Sequence, residues 1–155
     1  MKTNILIIPI LIIAIIACNK KESINNNNII HFGDSFILKM NGSINVASSS
    51  TNNDSILTVC FKKVISDSRC PSTSCSLCYG SAANIQILLV QKKDTSNIYL
   101  IIPGCSSEPV CNEYYYYRKD TLGYRICLLS LDPYPNSNTP IKAQDYSAKL
   151  KISKL

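Results

Sequence analysis

From residue 35 onward, apolar side chains recur at every second position in runs of six to eleven residues, broken by clusters of Asn, Ser, Gly, Asp and Pro. A period of two belongs to an extended strand with one buried face, whereas a buried helical face repeats every 3.6 residues. No stretch holds the helical period over three turns, which leaves short strands as the building elements. SFILKM (35 to 40) and SINVAS (43 to 48) flank Asn41-Gly42, a dipeptide that accepts positive φ and predicts a type I′ hairpin. ASSSTNND then reads as a polar loop. SILTVCFKKVI (55 to 65) sets Leu57, Val59 and Phe61 on one face and Thr58, Cys60 and Lys62 on the other. ANIQILLVQKK (83 to 93) turns Ile85, Ile87 and Leu89 one way, and NIYLIIP (97 to 103) is expected to return beside it across a DTSN turn.

VCNEYYYYRK (110 to 119) and LGYRICLLSLD (122 to 132) continue the pattern, and DYSAKLKISKL (145 to 155) aligns Tyr146, Ala148, Leu150 and Ile152. Seven or eight such strands predict an all-β fold, an antiparallel β-sandwich of Ig-like architecture. Residues 30–155 suffice for one core and not for two, and no internal repeat interrupts them. The four tyrosines at 114 to 117 resemble a binding patch. In a strand they alternate, so two are expected to pack inward and two to shield an exposed sheet face.

Residues 1–17 differ from everything after them. One cation, Lys2, precedes an unbroken apolar run from Ile5 to Ala17, too short to cross ~30 Å of hydrocarbon and typical of an export signal. Ile15-Ile16-Ala17-Cys18 is similar to a bacterial lipobox. The similarity implies cleavage before Cys18, a diacylglyceryl thioether on its sulfur and usually a further acyl chain on the new amino terminus. Two or three acyl chains anchor stably where one binds reversibly. NKKESINNNN lacks apolar periodicity, so residues 18–29 read as a flexible tether. Asn19 is not the Asp that retains lipoproteins in the inner membrane of enteric bacteria, which favours the outer membrane. The expected partners are therefore the membrane, through the lipid, and an unidentified envelope protein or glycan.

Without Lys2, 15 basic and 10 acidic residues leave a net +5. Lys62-Lys63, Lys92-Lys93 and Arg118-Lys119 are pairs at separate points and the tail KLKISKL alternates with apolar residues, so there is no clustered basic stripe and nucleic-acid binding is not expected.

Export with eight cysteines implies an oxidising compartment and disulfides. With Cys18 committed to lipid, Cys60, Cys70, Cys75, Cys78, Cys105, Cys111 and Cys127 remain. An odd number leaves one thiol, or one bridge to another chain. One bridge is expected within Cys70, Cys75 and Cys78, and another between Cys105 and Cys111, whose GCSSEPVC spacing suits a loop closure. Cys60 and Cys127 lie mid-strand and are candidates for a bridge between sheets, provided their Cα atoms come within ~6 Å.

The stretch SDSRCPSTSCSLCYG (66 to 80) admits sharper readings. Zinc would take Cys70, Cys75 and Cys78 as thiolates plus a fourth ligand, yet the single histidine, His31, lies in another segment, and neighbouring thiols oxidise in such a compartment. A cysteine nucleophile needs a positioned base, usually His. The Cys75-Ser76-Leu77-Cys78 spacing is that of a thioredoxin-like centre, which belongs at a helix start in an α/β fold. A metal-binding or thiol-redox module thus stands as the alternative to a stapled structural corner. In the corner reading Pro71 ends the preceding strand. Asp67 and Arg69, two apart on an extended chain, share a face and are expected to pair or to satisfy loop carbonyls.

Phe61, Val64, Asp67-Ser68-Arg69-Cys70-Pro71, further cysteines, Gly80 and an alternating strand from Ala82 together resemble the DSRCP-type small lipoproteins of Bacteroidetes. Tyr124, Ile126, Leu128, Leu131, Pro133-Tyr134-Pro135 and Asp145-Tyr146 are similar to that family's closing strands, so the resemblance spans most of residues 35–153. It implies a β-sandwich with no assigned activity and no cofactor. The family has one cysteine after DSRCP and a Trp before the Gly; here Trp is absent, and Cys75 and Cys78 straddle that place. The expectation is a lipid-anchored, non-enzymatic domain that binds or supports something at the cell envelope.

Overall fold

The computed structural model describes residues 29–48, 56–71, 82–105, 117–136 and 140–155. Among them are nine strands, one short 3-10 turn at Ala143–Asp145 and no α-helix. The strands are β1 (Ile29–His31), β2 (Ser35–Lys39), β3 (Ser43–Ala47), β4 (Leu57–Asp67), β5 (Ala82–Gln91), β6 (Asp94–Pro103), β7 (Arg118–Thr121), β8 (Tyr124–Asp132) and β9 (Ser147–Lys154). They form two sheets, ordered β1-β3-β4-β5-β6 and β2-β9-β8-β7, here named A and B.

Alternation sets what each sheet buries. Sheet A contributes Leu57, Val59 and Phe61 from β4, Ala83, Ile85, Ile87 and Leu89 from β5, and Ile98, Leu100 and Ile102 from β6. Sheet B contributes Phe36 and Leu38 from β2, Tyr124, Ile126, Leu128 and Leu131 from β8, and Ala148, Leu150 and Ile152 from β9. These side chains make one cluster, so two sheets packed face to face share a single core. Leu128 and Leu131 both reach it despite their odd spacing because a register shift between Leu128 and Ser130 changes the facing of β8. Gln91 Nε2 donates to the Tyr124 hydroxyl at 2.9 Å, a polar tie between the sheets.

Several expectations need correction. Nine strands replace seven or eight, and the short β1 pairs with β3 in parallel within otherwise antiparallel sheets. Asn41-Gly42 does not close a hairpin. Its flanking strands belong to different sheets: β2 pairs with β9, and β3 with β4. The Met40 N–H donates to the Tyr146 carbonyl in sheet B, while the Phe61 N–H donates to the Gly42 carbonyl in sheet A. The dipeptide carries the chain across the sandwich. Asn41 has φ 61°. Gly42 is needed for close approach, since a Cβ there would lie 2.9 Å from the Lys39 carbonyl oxygen.

The Leu122-Gly123 turn, at φ 51° and 76°, closes the β7–β8 hairpin in the type I′ manner. The β5–β6 hairpin turns at Lys92-Lys93, with Lys92 at φ 54°, and the expected DTSN turn is instead the start of β6. Of the expected strand at 110–119, Arg118 and Lys119 lie in β7 and Tyr117 is buried, while 110–116 lie outside the described residues.

Candidate functional site

Asp67 is the last residue of β4, and Ser68 stays bonded to the neighbouring strand β5 as the chain leaves the ladder. The Ser68 N–H donates to the Ala82 carbonyl, and its hydroxyl donates to the same oxygen at 2.9 Å. This holds the turn so that Arg69 projects toward sheet B. Its guanidinium grips Asp67 through both oxygens, Nε to Oδ1 at 2.9 Å and Nη2 to Oδ2 at 2.8 Å. The Arg69 N–H adds a bond to Oδ1 at 3.1 Å. Beyond the pair, Nη1 donates to the Leu131 carbonyl at 2.7 Å and Nη2 to the Pro133 carbonyl at 3.2 Å. The Asp132–Pro133 peptide is cis. The Tyr134 ring lies under the guanidinium, 4.8 Å from its carbon to the centroid.

Tyr146, just before β9, completes the cluster from a third direction, its hydroxyl donating to Asp67 Oδ2 at 2.9 Å. Side-chain exposure is 2% for Arg69 and 6% for Asp67. Burial by itself would raise the Asp67 carboxyl. Hydrogen bonds from the Arg69 side chain and backbone, the Arg69 charge and the Tyr146 hydroxyl outweigh it and hold the group below the ordinary carboxylate range. The same contact, added to burial, pushes the Tyr146 hydroxyl up to about 12.

A recess of about 300 Å³ opens beside this corner, lined by Asp67, Tyr146, Pro135, Asn136, Pro140 and Ile141. Its polar wall has little acid or base capacity at neutral pH. The Asp67 oxygens already accept four bonds, and Tyr146 keeps its proton.

The cysteines divide in two. Cys70, next to Arg69, and Cys105, whose N–H donates to the Tyr134 hydroxyl at 3.0 Å, border this same corner, and both are disulfide-bonded, as is Cys127. Cys75, Cys78, Cys111 and Gly80 lie outside the described residues, and the expected pairings within the cluster and between Cys105 and Cys111 fall there with them. Cys18, with its signal and tether, does so too. Pro71 is half-buried directly after Cys70.

The expected candidate bridge between Cys60 and Cys127 is overturned. Cys60 is a buried thiol, whereas Cys127 is half of a disulfide. The reason is parity. Cys60 alternates with inward-facing Val59 and Phe61, and Cys127 with Ile126 and Leu128, so the two sulfurs point out of opposite faces of the sandwich. With sheets ~10 Å apart and both side chains directed outward, the separation exceeds what a disulfide spans.

Among the described residues, no three His, Cys, Asp or Glu side chains gather as a metal site would require. His31 sits exposed in β1, opposite Ala47.

The structure adds four participants that residue-by-residue reading missed: the Leu131 carbonyl, the Pro133 carbonyl, the Tyr134 ring and the Tyr146 hydroxyl. Tyr146 stood out only as an inward position of the closing strand. Its position fits both roles, since the buried ring packs in the core while the hydroxyl reaches Asp67. No family model, curated protein or solved structure matches the chain.

Proposed function

We propose that this chain is a bacterial lipoprotein, anchored through acylated Cys18 to the outer membrane, whose folded part is a non-enzymatic, disulfide-stapled binding or structural domain of the cell envelope. The β-sandwich is Ig-like in its two-layer architecture, with the sequential order β3-β4-β5-β6 in place of an immunoglobulin's interleaved strands. One observation carries the reading. The buried polar cluster at the DSRC corner directs four guanidinium N–H donors and both carboxylate oxygens inward, joining the end of β4 to the end of β8 and the approach to β9.

A catalytic pair would keep a lone pair or a proton facing its substrate. Cys70 supports the same conclusion from its own chemistry: a half-cystine offers no thiolate to zinc or to an electrophile. Among the described cysteines, Cys70, Cys105 and Cys127 are each half of a disulfide, and Cys60 is a buried thiol.

Two measurements test this. Thiol titration should find one reactive group per chain, and only after unfolding; three or more would favour a metal-binding or thiol-redox module built on Cys70, Cys75 and Cys78. Cys18→Ala should move the protein from the detergent phase to the aqueous phase, and unchanged partitioning would remove the anchor.

A further inference from the structure

The lysines that are scattered along the sequence are not scattered on sheet B. In the β2–β9 ladder Ile37 lies opposite Lys149, Ser35 opposite Lys151 and Lys39 opposite Ser147. All six alternate with buried core residues, so they share the outer face of the sheet. Lys149 and Lys151 stand about 7 Å apart along β9, and Lys39 is the diagonal neighbour of Lys149 one strand spacing away. Those distances fall within the screening length of physiological salt, so the three charges act together. None of the three forms an ion pair among the described residues. On the other half of the face Arg125 is matched by Asp120 at 2.9 Å, and Asp132 lies across Ser147 from Lys39, accepting a bond from Ser130. The β2–β9 half is therefore the cationic one. At its centre Ile37 is 66% exposed, an apolar side chain flanked by the lysines.

The placement of the chain's entry points to the occupant. Ile29 lies on β1, the edge of sheet A, and residues 32–34 pass directly from there to β2, the edge of sheet B. The segment from Cys18 to Ile29 thus joins the fold at the lateral edge that β1 shares with β2, next to the lysine-bearing pair, and its eleven residue steps reach at most roughly 40 Å. We propose that the outer face of the β2–β9 pair, Lys39, Lys149 and Lys151 around Ile37, docks on an anionic phospholipid surface. This rests on the lipoprotein reading for its geometry, since a short tether holds the face at a high local concentration over the bilayer. The chemistry is complementary by itself. Each basic side chain near an anionic leaflet favours contact by about 1 kcal/mol, roughly fivefold, and an exposed isoleucine adds apolar burial at the headgroup boundary.

The full-length protein, purified in detergent, is reconstituted into vesicles of phosphatidylcholine alone or of equimolar phosphatidylcholine and phosphatidylglycerol. Flotation reports attachment, and mass spectrometry after amine acetylation reports which lysines are covered. On anionic vesicles, acetylation of Lys39, Lys149 and Lys151 should fall at least fivefold relative to Lys63 and Lys93. That protection should vanish at high salt and on phosphatidylcholine alone, and Lys149→Glu with Lys151→Glu should restore labelling of Lys39. Equal labelling of both sets on anionic vesicles that carry the protein would overturn the docking face while leaving the anchor standing. Protection that needs no vesicle and grows with protein concentration would assign the face to a second copy and overturn it as well. Flotation with anionic vesicles alone, lost in the double variant, would sustain the docking face and refute the acyl anchor; flotation with neither would refute both.

Discussion

Replacing Arg69 with alanine separates a structural corner from a recognition site. The substitution removes four donated bonds: Nε and Nη2 to the two Asp67 oxygens, Nη1 to Leu131 and Nη2 to Pro133. What remains is a carboxylate with 6% side-chain exposure and a buried Leu131 carbonyl, the first retaining only Tyr146 as a side-chain donor. Removing one member of a buried, hydrogen-bonded ion pair typically costs about 3–5 kcal/mol, more than a neutral hydrogen bond because the partner charge stays buried. For a domain of this size, that is a fall in melting temperature of roughly 10 °C or more.

The pH dependence gives a second signature. In the wild type the folded Asp67 carboxyl lies below its unfolded value, so its contribution is complete above the unfolded value near 3.8 and is lost as pH falls through the folded one. In Arg69→Ala the guanidinium bonds and charge are gone, leaving the backbone N–H and the Tyr146 hydroxyl against burial, so the folded value moves up from its wild-type position. The variant then has less to lose on protonation, and the stability gap should narrow as pH drops from 6 toward 3. Thermal melts of both proteins across that range make the measurement. An unchanged melting temperature at pH 7, or a gap that widens with acid, would refute the assignment of Arg69 as a clamp between the sheets.

Tyr146→Phe keeps the ring in the core and deletes one donor to Asp67, so a loss of about 1–2 kcal/mol is expected in chemical denaturation. The same variant should remove the phenol that ionises near 12 from an ultraviolet titration; in the wild type its contribution is complete below pH 10 and is lost as pH rises through about 12. Gly42→Ala should destabilise by roughly 1–3 kcal/mol, because the new methyl meets the Lys39 carbonyl oxygen, which belongs to backbone held in β2. Arg125→Ala serves as the contrast to Arg69→Ala: its pair with Asp120 has the same bidentate geometry but is exposed to solvent, and its melting temperature should not move.

Much of the fold was legible in the sequence because a strand's facing is a local property. Leu57, Val59 and Phe61, Ile85, Ile87 and Leu89, and Tyr146, Ala148, Leu150 and Ile152 face inward as their alternation requires, since a period of two leaves a residue only two sides to occupy. The proximity of Asp67 and Arg69 was local as well. Pairing between strands was not. Asn41-Gly42 has the composition of a hairpin turn, and positive φ at Asn41 satisfies that preference, but a local preference does not say whether the next strand joins the same sheet or the facing one. That choice was made by the core, which needs Phe36 and Leu38 on one side and Val46 on the other. The same limit applies to Cys60 and Cys127. Alternation put each opposite its buried neighbours, yet only the stacking of the two sheets shows that opposite means outward on both, and therefore apart. The acceptors of Arg69 lie 62 and 64 residues along the chain and Tyr146 lies 79 residues from Asp67, and the lysines of β2 and β9 are separated by more than a hundred positions. Contacts over such distances carry no periodic trace in the residues between them, and they exist because closing the sandwich brings those strand ends and edges together.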